Sequence, residues 1–143
     1  MFISKLRQRL SREEGFTLIE LLVVLIIIGV LLAIAIPSYL GFKDRAEKRA
    51  SASNVRSAIP AVEAYYSDDV ADGGGGSSYV GMTLAKLQTI DAAVKLDADP
   101  TNLTATDYCV FSTVGKYTAW KRGPAGAIKT RNNGDAAAPA ACS

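Results

Sequence analysis

A chain of 143 residues with two cysteines, no histidine and a formal net charge of +2 has room for one ordinary domain and lacks the commonest general base and transition-metal ligand. Lys5, Arg7, Arg9 and Arg12 against Glu13 and Glu14 place the charge excess in the first fifteen residues; the remainder carries twelve basic and twelve acidic side chains, so the basic balance is local and is no argument for nucleic acid. There is no Gly-x-Ser-x-Gly, phosphate loop or metal-ligand spacing, and no Ser–Lys or paired-carboxylate spacing stands out, so the reading is of a protein that is not an enzyme.

Residues 1–15 are short, polar and basic and read as a leader that is removed. From Phe16 to Ile36 the chain is apolar except for Thr17 and Glu20. These 21 residues make a helix of roughly 32 Å, enough to cross a bilayer core. Basic residues before this span favour a cytoplasmic N-terminus, with residues 41–143 outside the cytoplasm. Glu20 lies one turn into the span, where a carboxylate costs up to a few kcal/mol unless it reaches the interface or finds a cation. A rival reading takes Ala33-Ile34-Ala35 as the cleavage site of an ordinary secretory signal, which would release a secreted binding domain; the apolar run is longer than the roughly 7–15 residues usual for such signals.

Gly15-Phe16-Thr17-Leu18-Ile19-Glu20, the unbroken apolar run behind it and Pro37 together resemble the type IV prepilins and the related pseudopilins of type II secretion. The resemblance is close from Gly15 to about Tyr66 and loose beyond. It implies that a membrane peptidase cuts between Gly15 and Phe16 and N-methylates Phe16, and that Glu20 neutralises the new ammonium of a neighbouring subunit during filament assembly. The implied partners are further copies of the chain, the prepilin peptidase and N-methyltransferase, an inner-membrane assembly machinery, and membrane lipid before assembly. The implied fold is α+β, a long N-terminal helix packed on a small antiparallel sheet.

The residues beyond the span agree with that fold. Residues 38–66 lack turn clusters, and Val55, Ile59, Val62 and Tyr66, flanked by Ala58 and Tyr65, form an apolar stripe at helical spacing. Lys43, Lys48, Arg49, Arg56 and Glu63 fall mostly off it. With the span this makes a helix of roughly 50 residues, in which Pro37 and Pro60 each remove a backbone donor and should kink the rod. Residues 67–81, with four consecutive glycines, read as a flexible surface loop. Thr83 predicts an N-cap for a short helix over 84–87.

From Asp107 the pattern turns to strands. Residues 108–113 and 117–122 are rich in β-branched and aromatic side chains, and Val114-Gly115-Lys116 suits a hairpin. Residues 123–126 read as a turn and 127–129 as a third strand. Asp68, Asp69 and Asp72, or Asp97, Asp99 and Asn102, are oxygen clusters that invite calcium, but they lack the alternation and closing bidentate carboxylate of a built loop; the reading is of no cofactor. Lys121-Arg122 and Lys129 with Arg131 read as a solvated rim rather than a nucleic-acid contact. Outside the cytoplasm Cys109 and Cys142 are expected to pair, two buried thiols being the alternative. The organisation expected is thus a leader over 1–15, an assembly helix over 16–40 and a head over 41–143.

Overall fold

The computed structural model describes residues 16–135 and Cys142. The order of elements is a helix α1 (Leu18–Ser67), a 3₁₀ turn (Val70–Asp72), a helix α2 (Leu84–Ile90), and strands β1 (Cys109–Val114), β2 (Tyr117–Arg122) and β3 (Lys129–Asn132). The fold is α+β, a long helix with a small three-stranded antiparallel sheet in the order β1-β2-β3. The chain divides into two compact units at Gly41 and Phe42.

In the second unit, Ser51, Val55, Ala58, Val62 and Tyr65 are buried along α1, at steps of four, three, four and three. This is the expected stripe turned by less than one residue. Val55 and Val62 are its common members, while Ile59 and Tyr66 lie at its edge, half-buried. Helical periodicity fixes a face only to about one residue; which neighbours are fully covered depends on what packs above them. Here Tyr79, Met82, Leu87, Val94, Leu96 and Tyr108 join the helix residues in one core with Val110 and Ala119 of the sheet. Each large apolar side chain so buried contributes roughly 1.5–3 kcal/mol.

The glycine stretch is ordered by hydrogen bonds, in contrast to the flexible loop expected. Gly75 N–H donates to Tyr65 O (2.7 Å), Ser77 N–H to Tyr66 O (2.8 Å) and Gly76 N–H to Asp68 O (2.9 Å), so the loop folds back and satisfies the last carbonyls of α1. Gly75 is required there: a Cβ would collide with Ser78 O and the Tyr65 ring.

α2 is one turn longer than expected. Thr83 Oγ1 accepts from Lys86 N–H (3.3 Å), and the Asp99 carboxylate accepts from Leu84 N–H (2.8 Å). Strands β1 and β2 fall almost where expected, in the register Val114↔Tyr117 to Cys109↔Arg122. Gly115, at φ 56°, occupies the first position of the two-residue connection, as a type II′ hairpin requires. The third strand begins at Lys129 instead of Ala127. Its late start follows from Lys121, which points inward and donates from Nζ to the carbonyls of Gly123 (2.7 Å), Pro124 (2.8 Å) and Gly126 (2.7 Å). Winding 123–126 around that ammonium delays the return of the chain to the ladder. Lys121 is only 5% exposed, which corrects its assignment to a solvated rim; burial lowers its pKa from the usual lysine range.

Candidate assembly site on the apolar helix

The first unit presents its apolar side chains outward. The span window within α1 has a mean hydropathy of 3.2 and is 0% buried, and Phe16 is 78% exposed. By length and composition this helix can cross a membrane. Such a surface is tolerable only in lipid or against other apolar surfaces.

At its start, Thr17 Oγ1 accepts from Glu20 N–H (3.3 Å) and donates to a Glu20 carboxylate oxygen at 3.5 Å; Thr17 O accepts from Glu20 N–H (3.1 Å) and Leu21 N–H (3.2 Å). Thr17-x-x-Glu20 is the sequence of a capping box. The first turn of α1 therefore holds the Glu20 side chain against Thr17, beside the N-terminal end of the helix, where the peptide dipoles favour a negative charge. Glu20 has no cation within ion-pair distance among the described residues. The Thr-x-x-Glu spacing before an apolar run is itself the sequence signal for this cap, with Thr17 as its first member. Gly15, the other side of the expected cleavage point, lies outside the described residues.

α1 is assigned as helix through both Pro37 and Pro60. Cys109 and Cys142 are joined in a disulfide, with Cα atoms 5.7 Å apart, so the paired alternative holds and the buried thiols do not. The oxygen clusters are not assembled into sites. Asp99 caps α2, Asn102 Nδ2 donates to Cys142 O (3.0 Å), and Asp68, Asp69 and Asp72 all face solvent. Among the described residues no group of three or more acidic, cysteine or histidine side chains is placed to hold a metal ion.

The second unit carries its own polar centre, which the sequence did not announce. Glu63 accepts from Tyr79 Oη (3.2 and 3.4 Å to its two oxygens) and from Tyr108 Oη (3.4 Å). The ring of Tyr79 lies 4.6 Å from those of both Tyr66 and Tyr108. Burial first, and the Glu63 charge second, raise the hydroxyl of Tyr79 to about 12 and that of Tyr108 further.

An exposed apolar helix of this length, opened by a carboxylate in a capping box, has the length and composition to cross a membrane, and the comparisons concern the same segment. The family described as the prokaryotic N-terminal methylation motif matches residues 10–36. The chain is 40% identical over 57 residues to the type IV major pilin protein PilA of Myxococcus xanthus, covering 40% of this chain and 26% of that protein. It is 50% identical over 50 residues to the type IV narrow pilus major component PilA5 of Thermus thermophilus, covering 33% and 43%. It is 36% identical over 58 residues to the type II secretion system core protein G of Pectobacterium carotovorum subsp. carotovorum, covering 41% and 37%. The chain thus spans 26–43% of the length of these relatives. No solved structure matches it. The resemblance to type IV pilins and type II secretion pseudopilins read from the sequence is therefore shown.

Proposed function

We propose that this chain is a prepilin, the precursor of a structural subunit of a type IV pilus. The observation that carries the reading is the combination of a fully exposed apolar helix with the N-terminal methylation motif over its start. A prepilin peptidase cuts between Gly15 and Phe16 and methylates Phe16. The span holds the subunit in the cytoplasmic membrane with the head outside, until the assembly machinery moves it into the filament and the exposed helix becomes filament core. Moving from the aqueous membrane interface into an apolar filament core lowers the local dielectric, which strengthens the attraction between Glu20 of one copy and the Phe16 ammonium of the next. Turnover of a substrate has no part in this mechanism.

The similarity to core protein G supports a second reading, the major pseudopilin of a type II secretion system. Both readings share the processing and assembly steps and differ in the length and location of the filament.

Two measurements test the proposal. N-terminal sequencing of mature protein should return methylated Phe16; Ile36 would mean a secretory signal and end the reading. Glu20→Ala should fractionate with membranes at the normal level while electron microscopy finds filaments reduced by about tenfold or more, since a buried unpaired ammonium would remain at each interface. Normal filament numbers from that variant would remove Glu20 from assembly.

A further inference from the structure

The head carries two opposite charge patches that cannot meet within one chain. Arg45, Arg49 and Arg56 fall within about 40° of one another around α1 at 100° per residue, and all three are exposed. None has an ion-pair or hydrogen-bond partner among the described residues, whereas their neighbours are engaged: Lys43 pairs with Glu47 (3.7 Å), and Asp44 pairs with Lys116 (2.8 Å). The second patch is Asp68, Asp69 and Asp72, at and just beyond the other end of the helix. They too are exposed, and their side chains have no partner among the described residues.

The separation decides what these patches can do. Twelve residues of helix put Asp68 roughly 18 Å along the axis from Arg56, and twenty-three put it roughly 35 Å from Arg45. Both distances exceed a Debye length of about 8 Å and the reach of an arginine side chain. Within one molecule the patches are independent; between two molecules displaced along the helix axis they are complementary.

We infer that the basic face of α1 is a docking surface for the acidic segment 68–72 of a second copy of this chain. A contact between two different patches of the same protein is heterologous, and repeated without closure it generates an open helical filament. The contact therefore acts on the head in addition to the packing of apolar helices, and fixes the axial register of neighbours. This inference rests on the filament reading above. Opposed charges at the rim of an interface contribute mainly register and rate of association, and like charges placed there are strongly unfavourable.

The test is a charge exchange in the full chain, expressed in cells that assemble it. Arg45→Glu with Arg49→Glu and Arg56→Glu, and separately Asp68→Lys with Asp69→Lys and Asp72→Lys, should each lower filament yield about tenfold or more. The combined exchange should restore it. A second measurement avoids dependence on the folding of charge-reversed heads: in a chain carrying Arg49→Cys and Asp69→Cys, oxidised filaments should show a ladder of cross-linked multimers. Unaltered filament yield in both single exchanges, or no ladder from assembled filaments, overturns the docking while leaving the filament reading intact. Loss in the arginine exchange without rescue also overturns it and points to an anionic partner other than a copy of the chain. Absence of filaments from the unaltered chain overturns both readings.

Discussion

Glu63 sits against two tyrosines whose burial first, and its own charge second, set the alkaline response of a head that contains no histidine. It is held by the hydroxyls of Tyr79 and Tyr108, both almost fully buried, so ionising either tyrosine would place a second negative charge against the first in a desolvated setting. In the unfolded chain these hydroxyls lose their protons near pH 10. In the folded chain Tyr79 keeps its proton to about 12. Between those values the native state binds more protons than the unfolded state, so stability falls as pH rises; below about pH 10 the contribution is complete. The thermal midpoint of detergent-solubilised protein, followed by circular dichroism, should therefore carry a falling contribution from Tyr79 between about pH 10 and 12, while Lys121, whose pKa burial lowers, contributes in the opposite sense and equally to parent and variant. Tyr79→Phe should decline less steeply, and an equal or steeper slope would count against this assignment. The sequence did not show this centre, because Glu63 looked like one more charge off the apolar stripe, and its partners arrive from positions sixteen and forty-five residues away. Glu20 differs: an acid inside an apolar run stands out in the sequence, and the local device that holds it, Thr17, is written in the same six residues.

At the scale of elements, what was legible is what local periodicity and turn chemistry determine. The long helix, the short capped helix and the first hairpin were all visible as patterns within a dozen residues. What was not legible depends on long-range placement: the exact arc of α1 that is covered, the ordered glycine loop that caps it, and the start of β3, delayed because Lys121 binds three carbonyls of the preceding turn. An isolated bridge between Thr101 and Cys109, which extends the sheet past β1, also had no sequence signal. The tip of the hairpin joins both levels. Glu47 of α1 accepts from Lys116 N–H (3.2 Å) while Asp44 accepts from Lys116 Nζ (2.8 Å). Gly115 lies so close beneath the Glu47 carboxylate that a Cβ would overlap it, and its φ of 56° is unfavourable for any other L-residue. Gly115→Ala should then lose about 1–2 kcal/mol from backbone conformation alone, and more if Glu47 must leave its place. Chemical denaturation should show this as a lower midpoint with an unchanged slope. Lys116→Ala should lose less, because its ion pair is exposed to solvent on both sides.

At the scale of the whole molecule, the head must be stable without help from the span, because its core is built from one face of a helix, a few loop side chains and a small sheet. The core of the head is small, and the disulfide adds a constraint on the unfolded chain to what burial supplies. Cys109 is fully buried at the start of β1, beside the Thr101 bridge, and Cys142 is also tied to the chain by Asn102. The bond closes a loop with a sequence separation of 33 that contains all of β2 and β3. In the unfolded chain the same closure removes conformational freedom worth about 3–4 kcal/mol, so breaking it should destabilise the entire sheet and not only its last residues. Replacing both cysteines by alanine should lower the thermal midpoint of the head on the order of 15 °C, and keeping the unaltered chain reduced, without alkylation of the buried Cys109, should move the midpoint in the same direction. If the double variant melts within about 2 °C of the parent, less than 1 kcal/mol is involved and the burial around α1 alone sustains the head. On the proposed filament reading, the consequence for assembly follows the same order of dependence. Arg45, Arg49 and Arg56 sit on a helix that the sheet covers only from the other side, so a head loosened at Cys109 should still enter the membrane through its apolar segment yet yield fewer filaments. Fractionation and imaging of the same double-alanine cells separate those two steps, and a normal filament count from a demonstrably loosened head would show that the contacts between copies do not depend on the disulfide-closed sheet.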